Sequence, residues 1–234
     1  MASSYSASEG ELVDAISKYA RNQLLQHDAS HDWDHIQRVT SLALRIADRD
    51  TSRAAVDRLV VHLAAYLHDV ADHKYVTSAE QRQDVLTAAG SAMEARGLEP
   101  QRAGRVLEIV RHVSFSQGGD LSAVSVAVQH ELAIARDADR LDAIGALGIA
   151  RCFAYGGAKG RPLYDRDSLK LDAHTDAMPR GAVDASCLAH FFSKLLRVRD
   201  TIVTPYARVL AEERHVVLVA FVKQLQSEVA GSSA

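Results

Sequence analysis

The apolar run Leu63-Ala64-Ala65-Tyr66-Leu67 leads directly into His68-Asp69, and this junction constrains the fold more than any composition figure does. An imidazole and a carboxylate at the end of a buried helical face are costly to desolvate unless something offsets their charge. A divalent cation does so when further donors reach it from elsewhere in the chain. His35 upstream and Asp139 downstream are the potential partners, so that two imidazoles and two carboxylates from three helical segments would meet in one buried patch.

The remaining pattern is helical almost throughout. Leu12, Ile16, Tyr19, Ala20 and Leu24 predict a helix from Glu9 to about Gln26. Ile36, Val39, Ala43, Ile46 and Ala47 form one stripe of a second, Trp33 to Asp48, with Ser30 or Asp32 as its N-cap. A third runs from about Ser52 to Asp69 with Val56, Leu59, Val60, Leu63 and Leu67 inward. Ser78 to Arg96 is closed by Gly97, and Pro100 opens a helix that reaches about His112. Leu121 to Tyr155 reads as a long helical stretch interrupted near Asp137. From Gly156 to Val183 the periodicity vanishes, which is a long loop for a compact domain and therefore a functional or mobile one. Helices over Asp184 to Val203 and Pro205 to Ala230 finish the chain, with Leu195, Leu196, Val209, Val216, Val219 and Phe221 as core positions. There is no internal repeat and no run typical of parallel strands, so the expected class is all-α, a single-domain helical bundle.

A chain of 234 residues, 47% hydrophobic and 24% charged, suffices for one sizeable core. Its formal charge of -3 provides no basic face and argues against duplex nucleic acid as a partner, while leaving local basic residues for a small phosphate ester. Met1 to Gly10 is rich in Ser and Ala without the layout of a signal peptide, and no apolar run reaches the length of a membrane span. The expectation is a cytoplasmic protein that does not engage the membrane. Cys152 and Cys187 lie in apolar helical surroundings and read as small buried hydrophobes rather than a disulfide or a metal pair.

Converging donors must each point inward. His35 precedes Ile36 and stands four residues before Val39, at the edge of that stripe, and His68 continues the inner face four residues after Ala64. Asp139 belongs to the acidic cluster Arg136-Asp137-Ala138-Asp139-Arg140-Leu141-Asp142, whose counter-charges are Arg136 and Arg140 or a cation. On periodicity alone Asp137 and Asp142 compete with Asp139.

The segments His31-Asp32-Trp33-Asp34-His35-Ile36-Gln37-Arg38-Val39, Leu67-His68-Asp69-Val70-Ala71-Asp72 and Asp137-Ala138-Asp139-Arg140-Leu141-Asp142-Ala143-Ile144-Gly145-Ala146 resemble the HD-domain superfamily of metal-dependent phosphohydrolases, and within it a bacterial branch of YedJ-like and YpgQ-like proteins. The resemblance covers about Ser30 to Asp165, including His112-Val113-Ser114-Phe115-Ser116 and Gly160-Arg161-Pro162-Leu163-Tyr164-Asp165. It implies that the helical core expected over 11–155 is of the HD type; the flexible stretch 1–10, the possible lid at 156–183 and the C-terminal helices over 184–230 packed on that core are read from composition and periodicity. It singles out His35, His68, Asp69 and Asp139 as ligands of a divalent ion, Mn²⁺ first, with Mg²⁺, Fe²⁺, Co²⁺ or Zn²⁺ as alternatives. Asp72, one turn beyond Asp69, is the implied general base. Lys74, His112, Arg161 and His31 are placed at the substrate, His112 and His31 also as supports of the ligand shell. The implied activity is hydrolysis of a nucleoside triphosphate to a monophosphate and pyrophosphate by a metal-activated water. The alternatives are a nucleotide monophosphatase, a cyclic nucleotide phosphodiesterase, and a non-catalytic nucleotide-sensing module. The long C-terminal helices fit a homodimer.

Overall fold

Residues 58–67 are apolar nearly all round, which only a helix enclosed on most sides tolerates. In the computed structural model, which describes residues 5–24, 33–49, 56–71, 76, 78–114, 124–178 and 185–231, they form α3 (Arg58–Leu67). Leu59 to Ala65 and Leu67 are all buried. Around α3 pack α1 (Ala7–Leu24), α2 (Trp33–Asp48) and α5 (Pro100–His112), while α4 (Ala79–Glu94) packs on α1 and α5. Ile16, Leu63, Met93, Ile109 and Leu132 lie at the centre of this core, the last contributed by α6 (Val126–Asp142).

By their internal contacts the elements form two compact units, Met1–Ala138 and Asp139–Ala234. The division falls inside α6, a continuous helix whose last turn begins the second unit. That second unit holds α7 (Gly145–Ala158), α8 (Cys187–Ser193), α9 (Pro205–Val229) and three short 3-10 turns. Its centre is aromatic: Phe153, Phe191 and Phe221 have ring centroids 5.6 to 6.1 Å apart. Among the described residues all regular structure is helical, as the periodicity predicts, and no helix is long and apolar enough to cross a membrane.

Local chemistry sets several boundaries. The Ser78 side chain accepts the Gln81 N–H at the start of α4, and Gly97 ends the following turn in the left-handed region at φ 85°. α2 has the predicted bounds, although its expected caps Ser30 and Asp32 lie outside the described residues. α3 begins later than predicted because Asp57 caps it, its carboxylate accepting the N–H groups of Leu59 and Val60. Val56 therefore precedes the helix.

Four further expectations are corrected. α6 runs unbroken through Asp137, and the interruption comes instead at Ala143-Ile144, where Gly145 takes φ 80°. The predicted helix over 184–203 shrinks to α8 and two 3-10 turns because Lys194, at φ -139° and ψ -61°, leaves helical geometry. Val209 and Val216 are exposed (57% and 65%) rather than core, whereas Leu195, Leu196 and Val219 are buried. α7 continues to Ala158, and the loop after it contains structure of its own. Its Asp165 carboxylate accepts the hydroxyls of Ser186 (2.6 Å) and Ser168 (2.8 Å). Both cysteines are free thiols, Cys187 buried and Cys152 half-buried.

An aromatic ladder runs along α3. Tyr5 stacks on His62 at 5.5 Å, His62 on Tyr66 at 4.9 Å, and Tyr66 lies parallel to Trp33 at 5.9 Å. The Tyr5 hydroxyl is 3.0 Å from His62 Nδ1. Burial, helped by the Arg58 charge, depresses the His62 imidazole from 6.5 to about 4. The unfolded chain therefore binds a proton that the native state resists, so this stability is complete above pH 6.5 and falls away as the pH drops towards about 4. At about 1.4 kcal/mol per unit the loss is roughly 3 kcal/mol. Denaturant titrations from pH 7 to pH 4 should show that decline in the native sequence and a flatter one in His62→Phe; equal slopes would contradict the assignment.

Candidate metal centre

The end of α3 carries the first two groups. His68 is its C-cap residue, and its Nδ1–H donates to the Ala65 carbonyl at 2.8 Å. A carbonyl only accepts, so in the neutral ring the proton sits on Nδ1 and Nε2 is left with its lone pair. Nε2 faces His35 Nε2 at 3.2 Å. His35 comes from the first turns of α2 and is 1% exposed, and its ring lies edge-on to that of His68 with centroids 5.2 Å apart.

Asp69 closes on the same point, its Oδ2 3.4 Å from His35 Nε2 and its Oδ1 3.5 Å from His68 Nε2. All three groups are buried. Asp139, half-buried on the last turns of α6, approaches the same two imidazoles: ligand atoms of His35, His68 and Asp139 lie within 4.8 Å of one another. Two donors each about 2.1 Å from a common ion, at tetrahedral or octahedral angles, stand about 3.0 to 3.4 Å apart. The spacing between the two imidazoles and Asp69 thus fits a shared divalent cation, and the nitrogen and oxygen donors suit the first-row metals and Mg²⁺.

The acidic cluster around Asp139 divides its tasks. Asp142 is paired with Arg151 at 2.6 Å. Arg136, fully buried, donates to the His112 carbonyl at 3.1 Å, and Arg140 to the Thr201 carbonyl at 2.7 Å. Both therefore cap carbonyls besides sitting beside the acids, a use that the sequence did not reveal.

The structure brings Asp69 against His35 and His68, groups Asp139 with the same two imidazoles, and treats the other predicted residues differently. His112 is half-buried and ends α5, its Nδ1–H donating to the Glu108 carbonyl at 2.8 Å, the same orienting arrangement as His68. Arg161 lies in the second unit, its guanidinium 5.6 Å from the centre of the Tyr155 ring and its backbone N–H bonded to the Gly156 carbonyl at 2.8 Å. His31, Asp72 and Lys74 lie outside the described residues. Sequence reasoning missed the Ala65 carbonyl as the group that orients His68, although its position three residues upstream on a helix was the available signal.

Comparison with known proteins bears on the family and the fold. No family model matches the chain. YpgQ of Bacillus subtilis is 34% identical over 222 residues, covering 95% of this chain and 96% of YpgQ. A crystal structure of that protein in complex with ADP matches 97% of this chain and 100% of its own at a TM-score of 0.71 and 33% identity. An HD-superfamily hydrolase from Bacillus thuringiensis is similar at a TM-score of 0.69 and 30% identity, over 95% and 98% of the two chains. With an all-helical fold, a histidine–aspartate pair at the end of its buried third helix and these relatives over nearly its whole length, the chain belongs to the HD superfamily of hydrolases, in the YpgQ-like branch.

Proposed function

We propose that the chain is a metal-dependent phosphohydrolase that converts a nucleoside triphosphate to the monophosphate and pyrophosphate. The meeting of His35 and His68 with Asp69, and their grouping with Asp139, carries this reading, because ligand-type groups so close in a largely buried patch are costly without a cation between them. A divalent ion held there, Mn²⁺ in the first instance, supplies Lewis acidity towards a phosphoryl oxygen and lowers the pKa of water. ADP bound to YpgQ supports a nucleotide as the ligand class.

The protein's own side chains divide the remaining work. The Ala65 carbonyl holds the His68 ring so that Nε2 faces the site, which removes one rotational freedom before any ligand arrives. His35 and His68, neutral when they act as ligands, leave the two carboxylates to balance a dication, and the site can then accept a polyphosphate without a net negative charge of its own. In this reading Asp72 takes the proton from the attacking water, Lys74, His112 and Arg161 hold phosphate, and His31 supports His35 or touches substrate.

A panel of nucleotides assayed with Mn²⁺, with separate detection of phosphate and pyrophosphate, tests the proposal. Equal yields of monophosphate and pyrophosphate from a triphosphate are expected. Phosphate released from a monophosphate would move the assignment to a phosphatase, and silence on every phosphate ester by a protein that still binds nucleotide would favour a sensing module.

A further inference from the structure

The N-terminus of α3 is gripped by a polar knot at the end of the helix away from His68 and Asp69. Asp57, its N-cap, is held from α5 by Arg102, whose Nε and Nη2 each donate to the carboxylate at 2.8 Å. Its backbone N–H donates to Oε1 of Glu131 on α6 at 3.0 Å. Arg105 Nη2 donates to that same oxygen and Arg105 Nη1 lies 3.7 Å from Asp57 Oδ2. Glu131 is 1% exposed, and burial pushes its carboxyl above the ordinary range against the opposing pull of the Asp57 amide and Arg105.

A buried carboxylate that binds one main-chain N–H fixes a distance as well as a charge. The helix it fixes ends in His68-Asp69, about 16 Å further along, and Glu131 stands about 12 Å before Asp139 on α6 at the usual helical rise. The Asp57–Glu131 bond is therefore a polar tie, beside the apolar packing of the shared core, between the helix bearing His68 and Asp69 and the helix bearing Asp139. We propose that Glu131 is a positioning residue for the metal centre, setting the axial register of α3 against α6 and thereby the spacing of the donors at their far ends. The proposal rests on the reading of His35, His68, Asp69 and Asp139 as metal ligands. Slippage by one C–C bond, about 1.5 Å, is almost half of the 3.2 to 3.5 Å that separates the donors around His68.

Length and charge give opposite forecasts for two conservative variants. E131D keeps the charge but is too short to reach Asp57, whereas E131Q loses the charge but keeps an oxygen acceptor at the same reach. The measurement is the Mn²⁺ dissociation constant of full-length protein, alongside the thermal midpoint of each metal-free variant. E131D should weaken Mn²⁺ binding by about 10-fold or more, within the range for residues that orient ligands, and E131Q should restore it to within about 3-fold. A role confined to stability would lower the midpoint in both and leave the constant of the folded protein unchanged. If E131D does not fold, the double variant R105M/E131Q, which removes both charges and keeps the reach, should still bind Mn²⁺ within about 3-fold of the native protein, and a tenfold loss there would overturn the proposal. Native binding that depends on His35 and His68 but is unchanged in E131D would overturn the register role alone. Native protein that binds no Mn²⁺ would overturn the metal centre and this inference together.

Discussion

His68→Ala is expected to leave a folded protein with little bound metal and turnover reduced by far more than the about 10- to 100-fold that losing an outer-sphere partner costs. The argument is geometric. His68 Nε2 stands 3.2 Å from His35 Nε2 and 3.5 Å from Asp69 Oδ1, so it bridges the nitrogen donor of α2 and the neighbouring carboxylate. Without it, His35 and Asp69 still meet at 3.4 Å, but a nitrogen donor is missing and affinity falls with ligand number. The backbone has a smaller stake, because His68 caps the end of α3 and its ring donates there to the Ala65 carbonyl of the preceding turn. Metal analysis of purified protein, with turnover and circular dichroism on the same sample, checks the forecast. Native metal content in a folded His68→Ala variant would remove His68 from the ligand set.

Gly148→Ala should produce a large loss of stability for a single added methyl. A Cβ at this position would lie 2.2 Å from the Ala143 carbonyl oxygen and 2.5 Å from its carbon, and a backbone carbonyl cannot swing aside as a side-chain tip does. Glycine here lets the first turn of α7 fold back against Ala143, directly after Gly145 at φ 80°. Accommodating the methyl requires the turn to open, at a cost of about 3 kcal/mol, the upper part of the range for overpacking. In a chain of this size that is a thermal midpoint lower by roughly 6 to 12 °C. Gly157→Ala, with nothing within 4 Å of its added Cβ, is the matched control and should be neutral or slightly stabilising. Equal midpoints for the two variants would show that the α6–α7 corner is looser than its geometry implies.

The candidate ligands His35 and His68 were legible because metal chemistry restricts residue type and each sits beside a strongly periodic apolar face, His35 beside Ile36 and Val39 and His68 after Leu67, whereas Asp139, between buried Ala138 and Leu141, was separated from Asp137 and Asp142 by the family resemblance alone. Helix boundaries were legible where a local signal exists, as at Ser78, Gly97, Pro100 and Pro205. Two of the errors come from reading side-chain polarity directly as burial. Asp137 seemed to interrupt a helix, yet it is wholly buried in the middle of one, and the real break at Ala143-Ile144 lies in an apolar stretch. Conversely Val209 and Val216 seemed to be core because they are apolar, but α9 buries only one side, the side of Ala207, Ala211, His215 and Leu218. The Asp57–Glu131–Arg105 knot was beyond reach, since nothing in the periodicity of either segment links residues 74 positions apart.

The most direct test is a crystal of the protein grown with Mn²⁺ and measured for anomalous scattering. One peak bounded by His35 Nε2, His68 Nε2 and the carboxylates of Asp69 and Asp139 is the predicted result. Those four side chains turned away from a common point, with the anomalous signal elsewhere or absent, would contradict the account.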